Sequence, residues 1–465
     1  MPPKFGTSGL RGLVTELTPD LVRAHVRAFI AACPQGHAVH VGRDLRPSSP
    51  EIAGEVIAAV RAAGLRAVDH GALPTPALAL AAMSAGCGAV MVTGSHIPAD
   101  RNGLKFYVPA GEVSKQDETA ILAALETDFE DAATPGGTET PTTALPAYAD
   151  RYVQAFGPQA LAGLRVGVYE HSSVARDVMG EIFRNLGATP VPLARSEVFI
   201  PVDTEAVDPD TRDMLAQWAR DHALDAIVST DGDADRPMLT DGGGTLVPGD
   251  VLGPLTARFL GIDALVTPVS SNTMVDGMDA FTTVTRTRIG SPFVIAAMET
   301  AIADGSEPKI AGYEANGGFL LGCAAEAPAG MLAPLMTRDC LLPLIAPLAA
   351  ARAQGQSLAD LVAALPPRFT AADRVQEVPT EKSRAFIDRL AASAAARADF
   401  FEGVGAEVAT DLTDGLRVSF EGGAIVHLRP SGNAPECRCY AEADSPEAAL
   451  SLVNTHLARL KTELG

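Results

Sequence analysis

The sequence predicts an α/β protein built from three α/β passes of comparable length and a final α+β segment. Three observations carry this. Short β-like runs alternate with Ala/Leu-rich helical stretches, the pattern of α/β folds. The alternation starts afresh twice, first after a Pro/Thr/Gly-rich stretch. Beyond Pro366-Pro367 the chain changes character, and strands follow one another with little helix between them.

The elements follow in order. In the first pass, Ala38–Val41, Ala67-Val68 and Ala89–Val92 read as strands, with helices over Pro50–Ala63 and Ala77–Ser84. Ala133–Pro146 reads as a linker. The second pass gives a strand at Leu164–Val168, helices over Val174–Leu186 and Met214–Ala223, and a strand at Ala226–Ser229. The third gives Ala264–Thr267, a helix over Phe293–Ile302 and a strand at Lys309–Ala311. The last segment holds strands at Leu416–Phe420, Ala424–Leu428 and Arg438–Glu442, and a closing helix from Pro446.

Composition bounds the function. A chain of 465 residues exceeds one core, and 47% hydrophobic with 20% charged residues describes a globular protein. No apolar run is long enough to span a membrane, and the N-terminus lacks a basic-then-apolar signal, so a cytoplasmic location is expected. Cys33, Cys87, Cys323, Cys340, Cys437 and Cys439 show no paired or zinc-type spacing and read as reduced packing residues. A net charge of −21 argues against nucleic acid or an anionic membrane as partner. An anionic substrate must then meet a local cationic pocket, helped by a metal.

Five loops carry chemistry. Val90–Phe106 runs an apolar strand into a polar turn bearing Ser95 and His96, with Arg101, Asn102 and Lys105 close behind. A serine beside a base and backed by cations suits phosphoryl transfer, although a plain turn has the same composition. Asp231-Gly-Asp-Ala-Asp-Arg236 places Asp231, Asp233 and Asp235 at the end of a strand, where they repel one another unless a cation lies between them. An EF-hand is excluded, because its sixth position would be Arg236 and its twelfth Gly242. Arg429-Pro-Ser-Gly-Asn433, with Arg438 beyond it, has the inventory of a phosphate cradle: guanidinium, hydroxyl, amide and free N–H groups. Glu314 and Asn316 in Gly312–Gly318 offer a carboxylate and an amide to vicinal sugar hydroxyls. Thr7, Ser8, Arg11 and Arg43, from two N-terminal segments, are possible supporting contacts.

In this order the segments FGTSGLRG, TGSHIPADRNGLK, DGDADRP, GYEANGG and RPSGNAPECR resemble the motifs of the α-D-phosphohexomutases over essentially the whole chain. That family includes phosphomannomutases, phosphoglucomutases and phosphoglucosamine mutases. The resemblance implies three related α/β domains with mixed sheets plus a C-terminal α+β domain around a central cleft. The expected boundaries are 1–145 with the phosphoserine loop, 146–250 with the metal loop, 251–367 with the sugar loop and 368–465 with the phosphate loop. It also implies Ser95 as the phosphate carrier and Mg²⁺ on Asp231, Asp233 and Asp235. The intermediate, and activator, would be a hexose 1,6-bisphosphate. Glu314 and Asn316 would bind sugar, and Arg429, Ser431, Gly432, Asn433 and Arg438 the idle phosphate. Lys105 and His96 would move protons and Arg236 would stabilise transferring charge. The partners implied are small phosphosugars, with no nucleic acid and no membrane, and the assembly a monomer or homodimer.

Several positions depart from the family pattern. Gly94 and Ile97 replace two residues of the frequent TASHNP, and Asn433-Ala434 a frequent Thr-Glu. Gly318 stands where many bacterial members have His, which puts weight on Lys105 as the acid–base group. Glu314-Ala-Asn differs from the glucosamine-phosphate pattern, so the expected activity is phosphomannomutase, with phosphoglucomutase or dual specificity as the alternative. A phosphatase with a carboxylate nucleophile and a non-catalytic phosphosugar-binding protein stand further back.

Overall fold

The computed structural model describes residues 3–6, 9–305, 309–431 and 435–465. Its first three sheets share one plan. In the first, Ala38–Arg43 lies between Arg66–Ala72 and Gly88–Val92, all parallel, and Arg101–Val108 returns antiparallel beside Gly88–Val92. In the second, Arg165–His171 lies between Thr189–Arg195 and Ala226–Thr230, and Pro237–Thr240 returns antiparallel. In the third, Ala264–Pro268 lies between Thr283–Thr287 and Ile310–Tyr313, and Phe319–Leu321 returns antiparallel. Thus the weak repetition in the sequence is a threefold repetition of topology. The fourth sheet is wholly antiparallel, in the order Phe369–Gln376, Glu436–Ala443, Ile425–Pro430, Leu416–Phe420, Glu407–Asp411. Helix Pro446–Leu464 packs on it, started by Ser445, whose Oγ accepts from Ala448 N, and by Pro446 in the first turn.

Two sequence expectations need correction. Ala133–Pro146 is more than a linker: Thr138–Glu139 within it adds a parallel edge strand against Ala67 and Val68. The strands Thr189–Arg195 and Thr283–Thr287 were not anticipated, because both are edges with one paired neighbour. Pro190 and Pro192 are tolerated there, where an N–H facing away from the ladder is not missed.

One apolar cluster joins the first three sheets, running from Leu78 and Met91 through Tyr148, Val168 and Leu239 to Tyr313 and Leu344. Helix Leu342–Ala353 is apolar on all sides and correspondingly buried, packed on Gly249–Phe259. Asp339 is buried within this region and accepts from Tyr148 Oη (2.8 Å), Tyr152 Oη (2.5 Å) and Leu341 N (3.0 Å). By contrast, the fourth sheet has a core of its own, centred on Leu416, Val426, Cys439 and Leu460. Polar contacts join it to the third: Glu442 accepts from Thr273, and Asp414 from Ile289 N. Among the described residues no helix is long and apolar enough to cross a membrane.

Candidate active site

In each of the first three sheets the third parallel strand turns through a short loop into the antiparallel fourth. Those three loops carry Ser95, the aspartates and Glu314. The carboxyl ends of parallel strands are where open α/β sheets place their ligands.

Ser95 is buried and lies in the left-handed backbone region at φ 54°. Such a conformation costs a β-carbon-bearing residue on the order of 1–3 kcal/mol and persists only when its surroundings over-determine it. Here they do. Ser95 N donates to Thr93 Oγ1 (2.8 Å) and Ser95 Oγ to Asp231 Oδ2 (2.6 Å). Arg46, fully buried, gathers the loop's carbonyls: Nη2 donates to Ser95 O (2.9 Å) and Ile97 O (2.6 Å), Nη1 to Pro98 O (2.6 Å) and Arg101 O (2.9 Å). Asp44 holds Arg46 Nε at 3.1 Å, and the ring centre of Phe199, in the second unit, lies 4.2 Å from its guanidinium carbon. The departure at Gly94 now has a cause, since a Cβ there would lie 2.6 Å from Arg46 Cζ. His96 Nδ1 is 3.3 Å from Ser95 Oγ. Burial first, then Arg236 and Arg11, push this imidazole far below its usual pKa, so it stays neutral, a hydrogen-bond partner for the serine but a weak base.

Asp231, Asp233 and Asp235 are buried, each with a carboxylate oxygen within 4.8 Å of the others'. The cation expected between them is partly the protein's own: Lys105 Nζ donates to Asp233 Oδ2 (2.5 Å) and Asp235 Oδ2 (2.6 Å). Thr75 Oγ1 also donates to Asp233 Oδ2 (2.6 Å). The opposite oxygens, Asp233 Oδ1 and Asp235 Oδ1, are buried with no hydrogen-bond partner among the described residues. Hard, orphaned carboxylate oxygens fit a magnesium-type ion. Asp231 is raised by burial and by its two neighbours, whereas Asp235, despite burial, is pulled down by Arg338, Lys105 and Arg236. Arg236 Nε, 4.0 Å from Asp235 Oδ1, is a buried donor with no hydrogen-bond partner among the described residues. Arg11 is half-buried and lowered to about 10, by burial and then by Arg236.

Glu314 is buried in a turn closed by Glu314 N to Gly318 O (3.1 Å) and Gly317 N to Glu314 O (2.9 Å). Asn316 Oδ1 accepts from Gly318 N (2.9 Å), so in this structure it braces the turn. Thr204 Oγ1 donates to Asn316 O (3.1 Å). Arg338 Nη1 reaches Glu314 Oε2 (3.3 Å), and Nη2 lies 2.7 Å from Asp235 Oδ2. The sugar and metal loops therefore share one arginine.

The remaining residues expected at the site are less closely drawn together. Arg429 pairs with Asp414 (2.9 Å) and Arg438 with Glu436 (2.8 Å), both within the fourth unit, and Ser431 N donates to Glu436 O (2.9 Å). Arg43 ends its strand half-buried. Thr7, Ser8, Gly432 and Asn433 lie outside the described residues. Sequence reasoning missed Arg46, Asp44, Thr75, Phe199 and Arg338. A signal existed for two of them: Arg46 lies three residues beyond the flagged Arg43 in the same loop, and Arg338-Asp339 is a charged pair inside an apolar run.

A fold of three such units and an antiparallel fourth, with a serine, an acidic triad and a buried glutamate on equivalent loops, defines a class. Phosphoglucomutase/phosphomannomutase family models match in register: α/β/α domain I over residues 2–132, domain II over 146–244, domain III over 248–369 and the C-terminal domain over 375–458. The chain belongs to the phosphoglucomutase/phosphomannomutase family. It is 46% identical over 475 residues to a phosphomannomutase of Sinorhizobium fredii (strain NBRC 101917 / NGR234), covering 100% of each chain. To a phosphomannomutase of Salmonella muenchen it is 44% identical, over 99% of this chain and 96% of that one. The crystal structure of a phosphoglucomutase/phosphomannomutase family protein from Burkholderia thailandensis superposes with TM-score 0.78 at 22% identity, covering 98% and 97% of the two chains.

Proposed function

We propose that this enzyme is a phosphomannomutase, interconverting mannose 1-phosphate and mannose 6-phosphate through a phosphoserine at Ser95. The observation that carries the mechanism is the Ser95 hydroxyl, fixed 2.6 Å from Asp231 beside two orphaned carboxylate oxygens and an unpaired buried guanidinium nitrogen. The preference for mannose rests on full-length identity to relatives bearing that name.

A free sugar hydroxyl attacks the phosphorus of phospho-Ser95. The new O–P bond forms as the Oγ–P bond breaks, and the hydroxyl proton passes to Lys105 at the carboxylate cluster, giving hexose 1,6-bisphosphate; in the second transfer Lys105 returns a proton to the departing sugar oxygen. After the bisphosphate turns over in the cleft, Ser95 Oγ takes its other phosphoryl group. Ser95 Oγ–H has acceptors in place for that step, Asp231 and neutral His96. Lys105, held between Asp233 and Asp235, is the ammonium donor at the cluster, and Arg236 stabilises charge on the moving phosphoryl oxygens. Mg²⁺, held by Asp231, Asp233 and Asp235, would further neutralise that charge. Glu314 and Asn316 bind sugar hydroxyls in both orientations, and Arg429, Ser431, Gly432, Asn433 and Arg438 hold the idle phosphate.

The test is a Mg²⁺-dependent assay on mannose, glucose and glucosamine 1-phosphates, primed with trace hexose 1,6-bisphosphate. A kcat/KM preference for mannose 1-phosphate, lost in EDTA and restored by Mg²⁺, is the expected result. Equal rates on glucose would make the enzyme dual-specific, and no rate on any of the three would overturn the reading.

A further inference from the structure

Arg338 stands on the strand Leu335–Asp339 and is 3% exposed, yet its guanidinium touches two other functional loops. Nε donates to Asp235 Oδ2 at 3.0 Å, Nη2 lies 2.7 Å from the same oxygen, and Nη1 reaches Glu314 Oε2 at 3.3 Å. Its aliphatic stem fills the space beside Gly318, where a Cβ would lie 2.7 Å from Arg338 Cδ and 2.8 Å from Cγ. Residues 318 and 338 are therefore a matched pair: one gives up its side chain so that the other can pass.

We propose that Arg338 is the positioning residue of the sugar loop. It orients the Glu314 carboxylate toward the sugar hydroxyls and takes the room that a side chain on residue 318 would need, with Asp235 as its anchor. The assignment rests on the sugar-binding role proposed for Glu314. Physically, two buried carboxylates brought together need a shared cation, and a planar guanidinium holds both in fixed directions, whereas a lysine ammonium is a point charge that sets distance without orientation.

The experiment measures kcat and KM for mannose 1-phosphate, and its calorimetric Kd on a Ser95→Ala background that cannot turn it over. Arg338→Lys keeps the charge and loses the fork. It is expected to raise KM and Kd about tenfold while kcat changes less than about threefold. Gly318→His is expected to weaken binding in the presence of Arg338 and to be relieved when combined with Arg338→Ala, so that the two penalties do not add. A Kd within about twofold of the parent for Arg338→Lys, or simple additivity of the pair, overturns the proposal. Should Arg338→Ala fail to fold, the lysine variant decides alone. A wild-type enzyme inactive on all three sugar phosphates would instead sink the mutase reading, leaving the binding series to report on Arg338.

Discussion

The serine loop after Val92 and the sugar loop after Tyr313 occupy the same place in two copies of one topology, yet they are held by opposite means. Arg46 reaches the serine loop from outside it and binds four of its carbonyls, which fixes Ser95 in a backbone conformation it would not choose. The sugar loop closes on itself through its own turn, and Arg338 aims its carboxylate. The difference follows from what each must do. A nucleophile misplaced by about 1 Å loses on the order of a hundredfold in rate, so its loop is fixed from several directions. In the role proposed for Glu314, receiving a sugar in two orientations, direction matters more than rigidity.

Four outcomes would break or sharpen that contrast. The largest is Ser95→Ala, which should lower turnover by roughly 10⁴-fold or more while phosphosugar binding changes little. Phosphorylation assay and calorimetry on the same preparation decide it, and substantial residual turnover would remove Ser95 from its role. Next, Arg46→Lys cannot span four carbonyls and should lower kcat about a hundredfold with KM nearly unchanged. Arg46→Ala would in addition leave Asp44 as an unpaired buried charge, costing about 3–5 kcal/mol in a denaturant melt. If Arg46→Lys instead shifts KM, the two loops are not held for different purposes.

Third come the two glycines. Gly94→Ala pushes a methyl group toward the Arg46 guanidinium and should lower kcat roughly tenfold. Gly318→Ala pushes one into the Arg338 stem and should appear in KM. Both effects appearing in the same parameter would dissolve the contrast.

The smallest concerns the floor of the sugar loop. Gly249 lies so close beneath it that a Cβ would sit 2.2 Å from Gly317 N, and the next residue, Asp250, is buried. Burial pushes the Asp250 carboxyl up to about 7 against the hydrogen bond from Asn272 N, with Glu442 and Glu205 pushing the same way. A carboxyl that binds its proton more tightly folded than unfolded costs stability as pH rises. The penalty is absent below about pH 4, grows toward pH 7 and is complete above it. Asp250→Asn should therefore raise the melting temperature at pH 8 by a few degrees and leave it unchanged at pH 4. An equal shift at both pH values would mean packing, not charge, is responsible.

Much of this was legible in the chain. The serine, the three aspartates and Glu314 each follow an apolar strand, and a strand end followed by a polar turn can be read without coordinates. The groups that hold them could not be read so easily. Arg46 acts on a loop about fifty residues on, and Arg338 on Asp235, a hundred and three residues back. Such pairings exist only once the sheets are stacked. The edge strands Thr189–Arg195 and Thr283–Thr287 were hidden for another reason: prolines and threonines on a one-sided ladder give no apolar run to notice.

Ser95 and the Asp231 carboxylate that receives its hydrogen bond are 136 residues apart, and Phe199 and Lys105 complete the same junction across two units. During synthesis the serine is made long before its acidic partners. A nascent chain that ends before residue 231 carries the serine and His96 without the carboxylate that receives the serine's hydrogen bond, so the acidic half of the site is missing until its second unit has emerged and folded.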